Sequence, residues 1–222
     1  MTERLYMATS ELTGVAQLIR CEADETGYIA VLDATLFHPQ GGGQPSDSGE
    51  LENAEGKRAT VLQVKEVDGV ILHWLDVPLA PGAVKMHVNQ AMRQRHAVLH
   101  SVGHVIGNLG QEYGWKPVKA HHWPDECRIE FTPEASCSDV EAADIEVRLS
   151  DLIAQGLTAN TVTDEKGLRW VGFGELPPWP CGGTHLTSLS EVNGQVRVTT
   201  KVKKNKLIVK YTFESSPESQ PG

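Results

Sequence analysis

The stretch Asn89-Gln-Ala-Met-Arg-Gln-Arg-His-Ala-Val-Leu-His-Ser-Val-Gly-His-Val-Ile-Gly-Asn-Leu-Gly-Gln-Glu-Tyr-Gly114 divides the chain into two differently patterned halves. Within it Leu99, Val102, Ile106 and Leu109 fall at helical spacing and predict a long helix over residues 90–113 with one buried stripe. Asn89 is a suitable cap for the first turn, and Gly114 stops the last. Upstream, short alternating segments at 16–23, 28–33, 58–67 and 70–75 are broken by Gly, Asp and Pro turns, with a further turn and strand ending at Val88. They predict a small antiparallel β-barrel over residues 1–88. Downstream, a strand at 126–132 precedes a helix at 139–155 carrying Val140, Ile145, Leu149 and Leu152, and strands follow near 157–162, 195–202 and 207–213. The expected fold class is therefore α+β, with a mixed domain over 89–213 and a flexible tail over 214–222.

Composition narrows the function classes. A hydrophobic fraction of 40% and a charged fraction of 22% are those of a folded globular chain of 222 residues. No run approaches the roughly 18 apolar residues of a membrane span, and the opening Met-Thr-Glu-Arg-Leu-Tyr has no signal-peptide layout, so no membrane partner and a cytoplasmic location are expected. Cys21, Cys127, Cys137 and Cys181 are too few and too scattered for a disulfide framework. The net charge of -9 opposes non-specific nucleic-acid binding, yet Thr200 to Lys210 holds five lysines in eleven residues. Lys201, Lys203 and Lys204, with Lys206 and Lys210 behind them, are candidate phosphate contacts; Arg93 and Arg95 are alternatives, and an exposed strand protected by lysine is the plain reading.

The chemistry concentrates in two short motifs. His100-Ser-Val-Gly-His104 sets two imidazoles four residues apart, on one face of a helix. Cys181-Gly-Gly-Thr-His185 adds a thiolate and a third imidazole across a flexible glycine pair. A sulfur with imidazoles favours one zinc ion per chain, although iron and nickel accept similar donors. His96 stands four residues before His100 and competes for the helix pair. No glutamate lies between His100 and His104, which disfavours the peptidase chemistry of a His-Glu-x-x-His motif.

A third segment, Thr35-Leu-Phe-His-Pro-Gln-Gly-Gly-Gly-Gln-Pro-Ser-Asp-Ser-Gly49, can bring the backbone N–H groups of Gly41, Gly42 and Gly43 close to a ligand, with Thr35 and Gln44 offering hydrogen bonds. A tight turn shaped by Asp47 and Gly49 is the alternative. His121 and His122 follow the helix closely, and adjacent strand residues face opposite ways, so one of them at most faces a pocket.

The three motifs in this order resemble the editing domain of alanyl-tRNA synthetases and its free-standing AlaX relatives. The resemblance covers most of the chain and is nearest to the medium class, a barrel plus an editing domain. It implies a zinc-dependent hydrolase that removes chiefly serine, with glycine as the second cargo, from tRNA of alanine identity, with the metal on His100, His104, Cys181 and His185. It further implies that Thr35 senses the serine hydroxyl. Gln44 and Cys181 are the other candidate catalytic residues, and Gly41 to Gly43 and His122 the candidate substrate contacts, an ordinary surface histidine being the plain reading of His122. Nothing resembles an ATP-binding aminoacylation domain, so no ATP is expected; a monomer or weak homodimer is. The four donors together would close a tetrahedral shell, and the glycine-flanked Cys181 and His185 are the ones expected to yield. The alternatives are a zinc hydrolase of a small ester or amide without tRNA recognition, and a binding module in which zinc is structural. A threonine-type editing domain shares the two-part metal motif.

Overall fold

The computed structural model describes residues 2–216. The chain divides into two compact units, Met1–Gln94 and Arg95–Gly222.

The first unit contains β1 (Glu3–Arg4), β2 (Thr13–Asp24), β3 (Gly27–Leu32), β4 (Ala34–Thr35), β5 (Gly49–Asn53), β6 (Arg58–Val67), β7 (Val70–Leu75) and β8 (Gly82–Val88). The order β2-β3-β7-β6-β5-β8 closes into a barrel, while β1 pairs with β4. Alternation drives the closure. One side of each strand turns Leu18, Ala30, Leu51, Val61, Leu75 and Met86 into a common core, all 2% exposed or less. β5 was not anticipated, because Gly-Glu-Leu-Glu-Asn has a single apolar residue; Leu51 supplies the inward contact, and pairing with β6 and β8 removes the open edges.

α1 (Gln90–Glu112) follows directly. Asn89 caps it as expected, its Oδ1 accepting the Met92 N–H at 3.0 Å. Gly114, with φ at +77°, stops it. The second unit then carries β9 (Trp115–His121), β10 (Arg128–Pro133), α2 (Ala142–Ala154), β11 (Ala159–Thr163), β12 (Arg169–Phe173), β13 (Trp179–Pro180), β14 (Gly194–Lys203) and β15 (Lys206–Ser215). β14-β15-β10-β9 form one sheet and β11-β12-β13 a smaller one. The expected stripe Leu99, Val102, Ile106 and Leu109 is buried in a core with Ile129, Phe131, Ile145, Leu149, Val209 and Tyr211. The fold is α+β, an antiparallel barrel followed by a mixed unit with a long helix.

Several boundaries differ from the sequence reading, β2 among them, which begins at Thr13 rather than at residue 16. α2 begins three residues late, since Glu141 is extended at φ −87° and ψ 140°. Glu214 and Ser215, read as the start of the tail, extend β15 by pairing with Gln195 and Gly194; residues 217–222 of that tail lie outside the described residues. Among the described residues no helix is long and apolar enough to cross a membrane.

Candidate metal centre

α1 places His100 and His104 one turn apart, with ring centroids 5.1 Å apart and both residues buried. The segment Cys181–His185 follows β13 and meets that face. Cys181 Sγ lies 3.4 Å from His100 Nε2 and 3.2 Å from His185 Nε2. Donor atoms of His100, His104, Cys181 and His185 all fall within 4.8 Å of one another. His96, the competing candidate, is not in that group.

The donor set fits a zinc ion. Nitrogen and sulfur ligands about 2.0 and 2.3 Å from zinc stand about 3.5 Å apart at the tetrahedral angle, close to the two distances measured here. Burial lowers the His104 pKa to about 4, which leaves a neutral imidazole with a lone pair to offer. Burial raises the Cys181 thiol, against the pull of the Gly183 N–H and of Arg169; a cation would reverse that balance.

The glycine-flanked loop is tied at several points. Arg169, on β12, donates from Nη1 to the carbonyls of Cys181 and Gly183, each at 3.0 Å. The Cys181 N–H returns a bond to the Arg169 carbonyl at 2.9 Å, and Gly183 N–H points at Sγ at 3.3 Å. The opposite side of the loop meets α1 at Ser101, where Oγ lies 3.3 Å from His185 Nδ1 and accepts the Leu186 N–H at 3.1 Å.

His122 completes the surroundings. Its ring stacks on His100, with centroids 4.3 Å apart. The Tyr211 hydroxyl donates to the Leu99 carbonyl at 2.9 Å and therefore accepts from His122 Nδ1–H at 2.6 Å. Gly103 makes room for this pair: a Cβ there would come 2.4 Å from His122 Cε1 and 2.6 Å from Tyr211 Oη. His121, by contrast, stacks on Trp123 and is half-buried, so only one of the adjacent histidines turns toward the four donors.

In the first unit, the glycine-rich segment has its own network. Gly41 and Gln44 exchange two backbone bonds around Gly42 and Gly43, whose φ of +57° and +80° define a two-residue turn that glycine fits without strain. Thr35 is fully buried. His73 Nδ1 faces the Ala30 carbonyl at 3.4 Å and so carries the ring proton; burial lowers this histidine to about 4. Thr35 accordingly donates to His73 Nε2 at 2.9 Å and accepts the Phe37 N–H at 3.1 Å, which leaves one lone pair. Gln44 is fully buried too, whereas Gly41 and Gly42 are exposed.

No protein-family model matches the chain. It is 28% identical to the alanyl-tRNA editing protein AlaX-M of Methanosarcina barkeri, over 93% of this chain and 97% of that one. The chain resembles the AlaX editing proteins. AlaX-L of Pyrococcus horikoshii is 27% identical over 96% of this chain and 58% of its own. The alanine–tRNA ligase of Haloquadratum walsbyi is 29% identical over 90% of this chain. The chain spans only 24% of that ligase's length.

Against the AlaX likeness, the other site residues sort by exposure. Lys201, Lys203 and Lys204 are exposed along the β14–β15 hairpin, whose turn is Lys204-Asn205. Arg95 is half exposed and pairs loosely with Asp125 at 3.5 Å. Arg93 corrects the sequence reading: it is buried and donates from Nε to both Asp47 oxygens at 3.0–3.1 Å, so its charge is spent inside the protein rather than offered to a phosphate. Ser101, Arg169 and Tyr211 were not singled out by sequence. The spacing of Ser101 between two histidines was the one available signal.

Proposed function

We propose that this chain is a zinc-dependent aminoacyl-tRNA deacylase that cuts the ester of serine, and of glycine, on tRNA of alanine identity. The observation that carries the proposal is the convergence of four nitrogen and sulfur donors in a chain similar over most of its length to proteins named for alanyl-tRNA editing. The need is physical, because a pocket for alanine cannot strongly reject an amino acid that differs by one hydroxyl or one methyl.

Zinc held by His100, His104, Cys181 and His185 supplies a Lewis acid for the ester carbonyl or for a water. The protein's part is to hold the donors still. Arg169 fixes the loop carbonyls, and Tyr211 fixes the ring of His122 against His100. In this reading His122 contacts the substrate, and Thr35, with Gln44 and Gly41 to Gly43, belongs to recognition of the amino acid. With its proton committed to His73, Thr35 meets a serine hydroxyl as an acceptor. The hairpin lysines Lys201, Lys203 and Lys204, with Arg95, meet the RNA backbone. Ester hydrolysis needs no ATP, and a cytoplasmic monomer or weak homodimer suits the role.

The test is deacylation of seryl- and alanyl-charged tRNA of alanine identity by the zinc-loaded protein, beside Cys181→Ala. Selective loss of serine is expected, falling at least about a hundredfold in the variant. Hydrolysis of simple esters with both charged RNAs left intact would instead identify a small-molecule zinc hydrolase.

A further inference from the structure

We infer that Ser101 is the positioning residue that sets the His185 imidazole for metal binding and fastens the Cys181–His185 loop to α1. The inference rests on the metal centre proposed above and concerns how one of its ligands is held.

The geometry starts with the two ring nitrogens of His185. Nε2 faces Cys181 Sγ at 3.2 Å, inside the group of converging donors, while Nδ1 faces Ser101 Oγ at 3.3 Å, outside it. A ligand nitrogen must keep its lone pair, so the ring proton belongs on the other nitrogen, and a partner that accepts it selects that tautomer. Ser101 Oγ has two lone pairs. One receives the Leu186 N–H at 3.1 Å and the other lies within reach of His185 Nδ1–H. A single buried hydroxyl therefore holds two consecutive residues of the loop.

The position explains why the residue is small and polar. Ser101 is fully buried on α1 between His100 and His104. Its side chain reaches Leu186, 85 residues further along the chain. Alanine would leave the Leu186 N–H without its partner and take away the hydroxyl that faces His185 Nδ1. Threonine would retain the oxygen.

The decisive experiment measures zinc affinity of the wild type, Ser101→Ala and Ser101→Thr by competition with a chromophoric chelator, with nitrogen NMR of the His185 ring in the metal-free proteins. Helix content by circular dichroism confirms that each variant is folded. Ser101→Ala is expected to bind zinc about 10- to 100-fold more weakly, with Ser101→Thr recovering most of the loss. The ring should carry its proton on Nδ1 in the wild type and populate both tautomers in Ser101→Ala. Zinc affinity within twofold of wild type in a folded Ser101→Ala, or an Nε2–H ring in the wild type, would overturn the assignment. A wild type that ignores zinc but shows the Nδ1–H ring, lost in Ser101→Ala, would remove the metal reading and leave the Ser101 contact standing.

Discussion

The barrel and the second unit both bury histidines, but they answer them in opposite ways. In the barrel, His73 has a carbonyl for its proton and a hydroxyl for its lone pair, and the Asp47 carboxylate has the Arg93 guanidinium and the His38 N–H. Donor meets acceptor at each of these contacts. In the second unit, His100, His104, Cys181 and His185 each bring one ligand atom to a shared space, all within 4.8 Å of one another. A network that closes on itself stabilises a fold; a set of lone pairs aimed at one point suits a cation.

The comparison is broken most forcefully from the barrel side. Arg93→Ala leaves the Asp47 carboxylate buried without its counter-charge and should cost about 3–5 kcal/mol, read as lost amide hydrogen-exchange protection in the barrel strands. Adding Asp47→Asn should recover part of that loss, since a neutral amide needs no counter-charge. Unchanged protection in Arg93→Ala would mean that the pair is not the clamp its geometry describes.

The second unit should respond to metal instead. Zinc at about a thousand times its dissociation constant should stabilise that unit by about 4 kcal/mol, and a chelator or His104→Ala should remove the gain. Added exchange protection should appear around α1 and β12. Protection rising equally in the barrel strands would contradict the division drawn here.

A smaller effect is the pH response of the barrel's buried histidine. His73 has a folded-state pKa lowered to about 4, against about 6.5 unfolded, so between those values the unfolded chain binds more protons. Its contribution to stability is full above pH 6.5 and declines as pH falls toward 4, by about 3 kcal/mol in total. Urea unfolding across that window should show a steeper decline in the wild type than in His73→Gln, which takes up no proton. Equal slopes would place the charge elsewhere.

These contrasts also show what the sequence could reveal. The strands at 58–67 and 70–75, the Asn89 cap and the α1 stripe were legible because local alternation and local capping chemistry determine them. β12 and β13 were missed because Gly172, Gly174 and the prolines at 177, 178 and 180 break the pattern, and pairing of β12 with β11 and of β13 with β12 restores the strands. Arg93 was misread for a different reason. Its neighbours in sequence are the histidines, but its partner Asp47 is 46 residues away, and nothing local announces that pairing. Arg169 was silent likewise, since it recognises backbone carbonyls that carry no sequence signature. The donors were readable as two spaced pairs, with His96 competing for the helix pair until the resemblance chose between them, while the means of holding them still were not readable.

The separation of those donors along the chain has a consequence for the order of folding. His100 and Cys181 are 81 residues apart, and β9, β10, α2 and β11 to β13 all lie between them. The helical half, with two imidazoles, can form from local interactions; the loop half arrives only after the intervening elements have settled. A chain caught midway offers two ligands and a weak grip. With the proposed zinc bound, the full set would work as a latch that closes last, and tight metal uptake would become a certificate that the polypeptide around it has finished folding.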